Sequence, residues 1–422
     1  MNLEKLMEKY MTKFLLITLL TFSAGSYVMA ENSSRDFSFS GRCLGGDSAV
    51  ISFSGDVLPH HKMYQSIMPA KSFAPLWNKT NGLIKEADFS VANLEGPAAM
   101  GINASGTDMG DVGWIYDARY YENGPKDPDY DKKVIYSGTN FLFNFHPQIL
   151  KDLKNTGYDL LTVANNHSLD RKSIGIERTL EFARKIGLPT TGMRMRNEEL
   201  DSDLYNISII NNLLVAFIGC TESTNGRMED EVTPRSKVRH YQVLRCMGKS
   251  KRISDMITQV APSVDAVVVL PHWGDENEEE EHPRQRAYAQ EWIKAGALAV
   301  IGSHPHVLQP WEKFIVRDKN ENPIREGVIM YSLGNFVAGQ GKPDGKRSSE
   351  AKKTGVVAYL GLTKNGSKTE ISAVGYTPTY RTGTQIAPLE KMNSMISQIV
   401  IPKFGTKNLV RPGEPLGKIF CR

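Results

Sequence analysis

Excess charge and long apolar runs are both scarce in this sequence. The formal net charge is only +4 over 422 residues, and acidic and basic residues are interspersed, which excludes a surface built for nucleic acid. Beyond the first thirty residues, no apolar run approaches the roughly 20 residues that span a bilayer. No internal repeat recurs. A hydrophobic fraction of 40% still allows one large domain or two modest ones.

The first thirty residues differ from the rest. Lysines at Lys5, Lys9 and Lys13 precede an apolar run over 14–22, and small residues lead to Ala30. This order is typical of a secretory signal peptide cleaved before Glu31. An uncleaved anchor is the alternative, but the run is too short to cross a bilayer. We therefore expect export across the inner membrane, to the periplasm or the exterior, with membrane association left open.

Cysteine is also rare, with four residues in the chain. In an oxidising compartment Cys43, Cys220, Cys246 and Cys421 can form two disulfides in three ways. The favoured pairing joins Cys220 to Cys246 and Cys43 to Cys421, while a buried free thiol at Cys220 remains the alternative.

Short β-branched runs alternate with amphipathic stretches from residue 48 onward, which predicts an α/β fold. The strands are nearly continuous in apolar residues, so we expect sheets that are covered on both faces. Segments 101–138, 221–238 and 339–353 lack periodicity and are interpreted as surface loops. The predicted strands are 49–53, 89–92, 160–163, 213–219, 266–270, 298–301 and 328–332, with further strands at 356–362 and 371–376. The predicted helices are 73–86, 147–155, 174–186, 253–260 and 284–295.

Polar residues follow the predicted strands repeatedly. In open α/β sheets such residues meet at one sheet edge, where ligands bind. A single Asp or His there is more often a cap or a turn former, but five such strand ends together provide carboxylate, amide and imidazole groups. This mixed oxygen and nitrogen set suits Mn, Fe or Zn, which can activate water and polarise a phosphoryl oxygen. The residues concerned are Asp56, Glu95, Asn166, His167, His272, His304 and His306.

At these residues the sequence resembles the CapA family of poly-γ-glutamate capsule synthesis proteins, which shares the fold of calcineurin-like metallophosphoesterases. The resemblance covers about residues 48–340 and implies a four-layer αββα sandwich of the metallo-dependent phosphatase type, with additional C-terminal strands. The motifs in order are Gly55-Asp56, Asn93-Leu94-Glu95-Gly96, Ala164-Asn165-Asn166-His167 with Asp170, His272-Trp273-Gly274 with Glu276, Gly302-Ser303-His304-Pro305-His306 and Gly334-Asn335-Phe336.

The resemblance also implies roles for single residues and one or two divalent ions. His167 corresponds to a general acid, with Asp170 as its catalytic partner. Metal ligands are implied at Asp56, Glu95, Asn166, His272, His304 and His306, and substrate contacts at Asn93, Asn165, Glu276, Trp273 and Asn335. Trp273 and Trp311 are also open to a core interpretation, since aromatics beside a sheet edge are commonly buried.

Two positions depart from the phosphoesterase pattern. Leu58 stands where a metal-binding His is usual, and Glu95 replaces an Asp at the bridging position. One well-held ion is therefore as compatible with the sequence as two, unless His60 or His61 supplies the missing imidazole. Two exposed loop histidines are the simpler interpretation.

The leader and the candidate site predict an exported protein with a metal-dependent hydrolase site, and the resemblance implies a part in capsule or poly-γ-glutamate synthesis or export. Non-catalytic polymer binding or assembly is one alternative, and amide hydrolysis of polyglutamate or cell-wall peptide is another. Expected partners are an anionic polymer or a phosphoester substrate, and a membrane-bound synthesis complex, but no nucleic acid. The basic segment with Lys342, Lys346, Arg347, Lys352 and Lys353 is a candidate polymer contact. The predicted organisation is a leader over 1–30, a short segment over 31–47, the main domain over 48–345, and strands and a tail over 346–422 that complete it.

Overall fold

Two mixed β-sheets dominate the protein. A computed structural model describes residues 35–41, 45–116, 130–138, 142–198, 200–229, 241–247, 252–341 and 349–420. The predicted leader, the Cys43–Cys421 pairing and the basic residues Lys342, Lys346 and Arg347 lie outside these ranges. The strands are β1 (Asp47–Leu58), β2 (Phe89–Leu94), β3 (Leu160–Thr162), β4 (Thr190–Thr191), β5 (Asn206–Ile210), β6 (Leu213–Thr221), β7 (Ala266–His272), β8 (Ala299–Ile301), β9 (Leu308–Arg317), β10 (Pro323–Leu333), β11 (Asn335–Ala338), β12 (Thr354–Asn365), β13 (Lys368–Thr382) and β14 (Gln385–Pro388).

The first sheet has the order β14-β13-β12-β1-β2-β3-β4, and β11 also pairs with β1. Its strands β1 to β4 are parallel to one another. Strand β12 is antiparallel to β1, β13 is antiparallel to β12, and β14 is antiparallel to β13. The second sheet has the order β5-β6-β7-β8-β10-β9, with parallel central strands and antiparallel edges. In each sheet the carboxyl ends of the parallel strands lie on one edge, where polar residues can meet.

Most helices cover the outer faces of the two sheets, whereas the helix Ser394–Phe404 packs its apolar side chains into the core between the sheets. The helices are α1 (His61–Ile67), α2 (Asn81–Lys85), α3 (Tyr130–Lys133), α4 (Gln148–Thr156), α5 (Lys172–Lys185), α6 (Arg252–Val260), α7 (Pro283–Ala295), α8 (Ser394–Phe404) and α9 (Leu416–Ile419).

Three large hydrophobic cores among the described residues lie between the four layers. Alternate side chains of a strand face opposite sides, so Ile51 packs between the sheets while Val50 packs against helices of the first sheet. In the same way Phe217 faces the space between the sheets, and Ile218 faces α6 and α7. The expected four-layer αββα sandwich is therefore confirmed, and both sheets are covered on both faces.

The predicted helix over 73–86 is wrong in its first half. Two 3₁₀ turns, Ala74–Leu76 and Asn78–Thr80, precede α2. Pro75 has no N–H to donate, and the Thr80 hydroxyl donates to the Trp77 carbonyl at 2.7 Å. Both features replace the bonds of a continuous α-helix, so the segment tightens into 3₁₀ turns.

The described parts of segment 101–138, residues 101–116 and 130–138, are not simply a solvated surface loop. Ile102, Asn103, Ile135 and Tyr136 are buried, and the Asn144 side chain just beyond donates to backbone carbonyls at Ala99, Ile102 and Ile135. A polar side chain that satisfies three carbonyls fixes the path of a segment without regular structure. Apolar periodicity carries no signal for such an anchor.

Cys220 and Cys246 form a disulfide, as the sequence favoured. Thr221 and Glu222, which follow Cys220, are also bonded to the backbone of Leu244 and His272. Within the described ranges, no helix is both long enough and apolar enough to cross a bilayer.

Candidate metal centre

The carboxyl ends of both sheets bring the predicted site residues together. Asp56 lies in β1, Glu95 directly follows β2, Asn166 and His167 follow β3, His272 ends β7, and His304 and His306 follow β8. Two glycines permit this convergence. A Cβ at Gly55 would lie 1.9 Å from the Gly334 carbonyl oxygen, and one at Gly302 would lie 2.1 Å from that of Tyr331.

His272 forms the centre of one ligand set. Its Nε2 lies 3.1 Å from Asn166 Oδ1, 3.1 Å from His304 Nδ1 and 3.5 Å from Glu95 Oε1. Its Nδ1 lies 2.9 Å from Ser303 Oγ, which fixes the orientation of the ring. Burial lowers the pKa of His272 to about 3, so the imidazole is neutral and able to bind a metal.

Asp56 and His306 form a second set. Nδ1 of His306 lies 3.2 Å from Asp56 Oδ2 and 3.0 Å from Asn335 Oδ1, and Asn93 donates to Asp56 Oδ1 at 2.8 Å. Burial would raise the pKa of Asp56, but the hydrogen bond and charge of His306, with His272 and Asn93, lower it to about 2. Asp56 is therefore an ionised carboxylate in a fully buried position.

Glu95 lies between these two sets. Its Oε1 is 3.5 Å from His272 Nε2 and 3.7 Å from His306 Nε2. Both carboxylate oxygens are buried and accept no hydrogen bond from the described residues. Burial raises the pKa of Glu95 because the charged form is poorly solvated there. A buried carboxylate of this kind is costly unless a cation is bound beside it.

The backbone at two of the histidines is strained. His304 has φ 102° and His306 has φ 60°, in a region that residues with a Cβ rarely adopt. Such conformations cost about 1–3 kcal/mol each and concentrate at functional sites. Here they direct two imidazoles, separated by one proline, toward the same cluster.

His167 and Asp170 form a buried pair beside the ligand sets. Nδ1 of His167 lies 2.8 Å from Asp170 Oδ2, which also accepts from the Phe143 backbone N at 2.7 Å. Arg227 donates to the other oxygen of Asp170. Burial would lower the pKa of His167, but the Asp170 carboxylate outweighs it and raises the pKa above its ordinary value. A protonated His167 is thus favoured, as a general acid requires.

The donor atoms fit a divalent transition metal. Two compact groups of possible ligands share Glu95, namely Glu95 with His272 and His304, and Asp56 with Glu95 and His306. Carboxylate oxygen, amide oxygen and neutral imidazole nitrogen together suit Mn, Fe or Zn. The orphaned oxygens of Glu95 are the feature that a bound cation explains best.

Of the predicted substrate contacts, three bond within the protein. Asn93 holds Asp56, Asn335 contacts His306, and Asn165 donates to the Leu94 carbonyl at 2.7 Å. All three side chains are buried, so in this structure they position ligands and loops. Glu276 is exposed beside His304 and His306, where a substrate contact stays a prediction.

Both tryptophans lie in the core. Trp273 is fully buried, stacks on Trp292 with ring centroids 5.3 Å apart, and donates to the Tyr331 carbonyl. Trp311 is buried between the sheets and donates to the Arg35 carbonyl. The core alternative therefore describes both indoles, and neither offers a face to a substrate here.

Neither Leu58 nor the nearby His60 and His61 supplies the imidazole that is usual at position 58. The Leu58 side chain is buried in the core beneath the helices of the first sheet, and an apolar side chain cannot bind a metal ion. His60 and His61 are half-buried, not exposed as the simpler interpretation had it. His60 Nδ1 lies 2.8 Å from the Leu58 carbonyl, and His61 Nδ1 lies 2.5 Å from the Tyr116 hydroxyl. Neither belongs to the groups of possible metal ligands found among the described residues.

Sequence reasoning missed three residues that orient the site. Ser303 holds His272, and the Phe143 ring packs edge-on against His167 with centroids 4.6 Å apart. Arg227 binds Asp170 from a loop of the second sheet. Ser303 lies inside a motif and had a signal, whereas Phe143 and Arg227 lie in segments without one.

The described part of the basic segment does not form a free cationic surface. Lys352 is buried, and Lys353 pairs with Glu350 at 3.0 Å. These two of the five predicted polymer-contacting residues are thus engaged within the protein.

Solved structures with related folds are only distantly similar. The calcineurin-like phosphoesterase YfkN from Bacillus subtilis aligns with 84% of this chain and 96% of its own, at 14% identity and a TM-score of 0.39. A hypothetical protein from Thermus thermophilus aligns with 79% of this chain and 100% of its own, at 12% identity and a TM-score of 0.36. The fold therefore rests on the layers described above.

A family model, together with two sequence relatives, gives the family. The capsule biosynthesis protein CapA of Bacillus anthracis is 31% identical over 195 residues, which are 46% of this chain and 43% of that protein. The PGA biosynthesis protein CapA of Bacillus subtilis (strain 168) is 26% identical over 323 residues, 76% of this chain and 70% of that protein. The match thus spans less than half of the first relative. The model of the bacterial capsule synthesis protein PGA_cap family matches residues 50–112 and 126–340, and the chain belongs to this family.

Proposed function

We propose that the protein is an exported, metal-dependent hydrolase that acts on a phosphoester in capsule or poly-γ-glutamate synthesis. The observation that carries the proposal is the convergence of Asn166, His304 and Glu95 on Nε2 of His272, at 3.1, 3.1 and 3.5 Å. Four potential ligands this close together support the proposal of a metal site.

Each residue has a chemical part in this proposal. A bound divalent ion would supply an activated water and neutralise charge on the phosphoryl group. Asn166, His272, His304 and Glu95 would hold one ion, and Asp56 and His306, with Glu95, a second. His167 holds a proton on the ring whose Nδ1 faces Asp170, so its Nε2 is the atom suited to protonate a leaving oxygen.

The proposal of export is supported by two features. The first thirty residues have the order of a signal peptide. The disulfide between Cys220 and Cys246 is of a kind that persists in oxidising compartments. Capsule or poly-γ-glutamate as the polymer, and a membrane-bound synthesis complex as the setting, rest on the names of the CapA relatives.

A second candidate is a polymer-binding component without turnover. Leu58 is buried in the core, so Asp56, Glu95 and His306 lack the fourth ligand that a catalytic first ion usually has. An amide hydrolase is chemically possible at the same site, since an activated water also attacks acyl centres.

Metal content and hydrolysis of generic phosphomonoesters and phosphodiesters test the proposal. We expect the purified protein to retain transition metal and to hydrolyse one of these esters. His272→Ala should abolish both, and His167→Gln should keep the metal while lowering kcat by about 10²–10⁴-fold. His282→Asn is the matched control, because Asn preserves the acceptor that caps α7.

Circular dichroism and the unfolding temperature show whether each variant is folded. Metal-free protein that still binds polyglutamate would defeat the hydrolase and support polymer binding. Metal-dependent release of α-amines from polyglutamate or muropeptides, without ester hydrolysis, would support the amidase instead.

A further inference from the structure

Glu276 lies at the solvent side of the cluster and has no structural task that its contacts reveal. Its side chain is exposed, and no hydrogen bond or ion pair joins it to another of the described residues. Nevertheless, one carboxylate oxygen and one ring nitrogen each of His304 and His306 all lie within 4.8 Å of one another. Two ligands at about 2.0–2.2 Å from one ion are at most about 4.4 Å apart, so only a small side-chain adjustment separates this group from a ligand set.

Two backbone hydrogen bonds hold Glu276 in this place. The loop after β7 is tied to the loop after β8 by Trp273 N to the Ser303 carbonyl at 3.0 Å and by Asn277 N to the Pro305 carbonyl at 2.7 Å. In the second bond, Asn277 directly follows Glu276, and Pro305 lies between His304 and His306. Asn277 adopts φ 64° to make it, which keeps residue 276 at the cluster.

The charges at the solvent side of the cluster also favour a cation beside Glu276. The charge of Glu276 acts on Glu95, His272 and His306 across the site. Without a cation, Glu276 and Asp56 would repel an anionic phosphoester. A carboxylate at the entrance is compatible with such a substrate when the carboxylate itself binds the cation.

We propose that Glu276 is a metal ligand, acting with His304 and His306 on a divalent cation. The inference rests on the proposed metal site but not on turnover. The group Glu276, His304 and His306 shares His306 with the set Asp56, Glu95 and His306 and shares His304 with the set Glu95, His272 and His304, so Glu276 borders both ligand sets. The exposed side chain can adjust its torsion angles to reach the ion.

Calorimetric titration of the metal-stripped protein with Zn²⁺ and with Mn²⁺ tests this assignment. We expect Glu276→Gln, which removes the charge but keeps the shape, to raise the Kd of one bound ion by at least about tenfold. Glu278→Gln is the matched control, because it removes the same charge from an exposed neighbour two residues away. It should leave every Kd within about twofold of the wild-type value.

Anomalous scattering from zinc-loaded crystals gives the second measurement. The proposal requires a Glu276 oxygen within about 2.0–2.2 Å of an ion. Unchanged Kd values in Glu276→Gln, an ion without that oxygen, or no bound metal at all would each overturn it. A Glu276-dependent ion in a protein without esterase activity would sustain this inference while the proposed hydrolase fails.

Discussion

Asp170 is the residue through which two separate loops reach the candidate general acid. It accepts the Phe143 backbone N–H from the segment before α4 and binds Arg227 from the loop after β6. The Asp170 oxygen that accepts the Phe143 N–H also lies 2.8 Å from Nδ1 of His167. A carboxylate held from several sides keeps an imidazole in one orientation, and small losses of orientation reduce catalysis strongly.

Arg227 therefore has a positioning role that can be measured. In Arg227→Gln the Phe143 N–H still holds Asp170, so we expect kcat to fall by roughly tenfold, less than in His167→Gln. Metal content should not change, because Arg227 reaches the site through Asp170, which is not a candidate ligand. Arg245→Gln is the control, since Arg245 contacts Thr224 in the same loop. Loss of metal in Arg227→Gln, or equal losses of kcat in Arg227→Gln and Arg245→Gln, would contradict the positioning role.

At the scale of elements, the disulfide fixes the loop that carries Arg227. Cys220 is the penultimate residue of β6, and the cross-link to Cys246 closes a chain segment with a sequence separation of 26. Cross-links of this size stabilise proteins by about 2–4 kcal/mol.

Cys220→Ala/Cys246→Ala should accordingly lose about 2–4 kcal/mol in the free energy of unfolding. Urea denaturation of the variant and of the oxidised protein measures the difference. We also expect the variant to lose the proposed esterase activity before it unfolds, because Arg227 is released first. Reductant should reproduce both effects in the wild-type protein and neither in the variant. A loss below about 1 kcal/mol would mean that the packing around Leu244 holds this segment by itself.

The segment before α4 makes stability depend on pH. His146 stacks on Trp114 with ring centroids 4.1 Å apart, and its Nδ1 accepts the Gln148 N–H at 3.1 Å. Burial lowers the pKa of His146 to about 4, with Asp111 opposing and Lys151 assisting. The unfolded chain takes up a proton below about pH 6.5, whereas the folded protein does so only near pH 4. Stability contributed by the neutral ring is therefore lost as the pH falls from 6.5 to 4.

His146→Asn tests this pH dependence. Asn keeps an acceptor for the Gln148 N–H but does not titrate. We expect its free energy of unfolding to be lower than that of the wild type at pH 7, because the stacking is lost, and to fall less between pH 7 and pH 5. Urea unfolding at both pH values gives the comparison. Parallel losses in the two proteins would show that other groups cause the acid sensitivity.

Elements with strong apolar patterns were predictable, and those with polar or broken patterns were not. Runs such as 213–219 and 266–270 lie within β6 and β7 because buried strands need continuous apolar residues. Strand β9 was missed because Pro310 interrupts its pattern, which is tolerated at the edge of the second sheet. The burial around Asn144 was missed because one buried amide replaces a periodic pattern.

At the scale of the whole molecule, the candidate site depends on both sheets. The first sheet supplies Asp56, Glu95 and Asn166, and the second supplies His272 and the loop of His304 and His306. Strand-end chemistry predicted which residues would meet, because parallel strands end on one edge. It could not predict distances or the burial of Trp273, since both depend on how two sheets pack.

The C-terminal strands connect this site to the rest of the fold. Strand β12 pairs with β1 from Asp47 to Ser54, on the side of β1 opposite β2. Val357 and Tyr359 pack into the core under the helices of the first sheet, and Val356 and Leu360 pack between the sheets. Strand β12 thus contributes to two cores at once, and β1, which carries Asp56, has it as a neighbour.

A chain that ends at residue 345 should therefore not fold. Its loss of β12 to β14 would expose both cores along β1, at about 25 cal/mol for each Å² of apolar surface left in water. Compared with a chain of residues 31–422, we expect 31–345 to be insoluble or to lack a cooperative urea transition, and to bind no metal. Co-expression of 346–422 as a separate fragment should restore solubility, since the missing strands can pair in trans. A soluble 31–345 protein with a cooperative transition and bound zinc would instead make the C-terminal strands an addition to a domain that is complete without them.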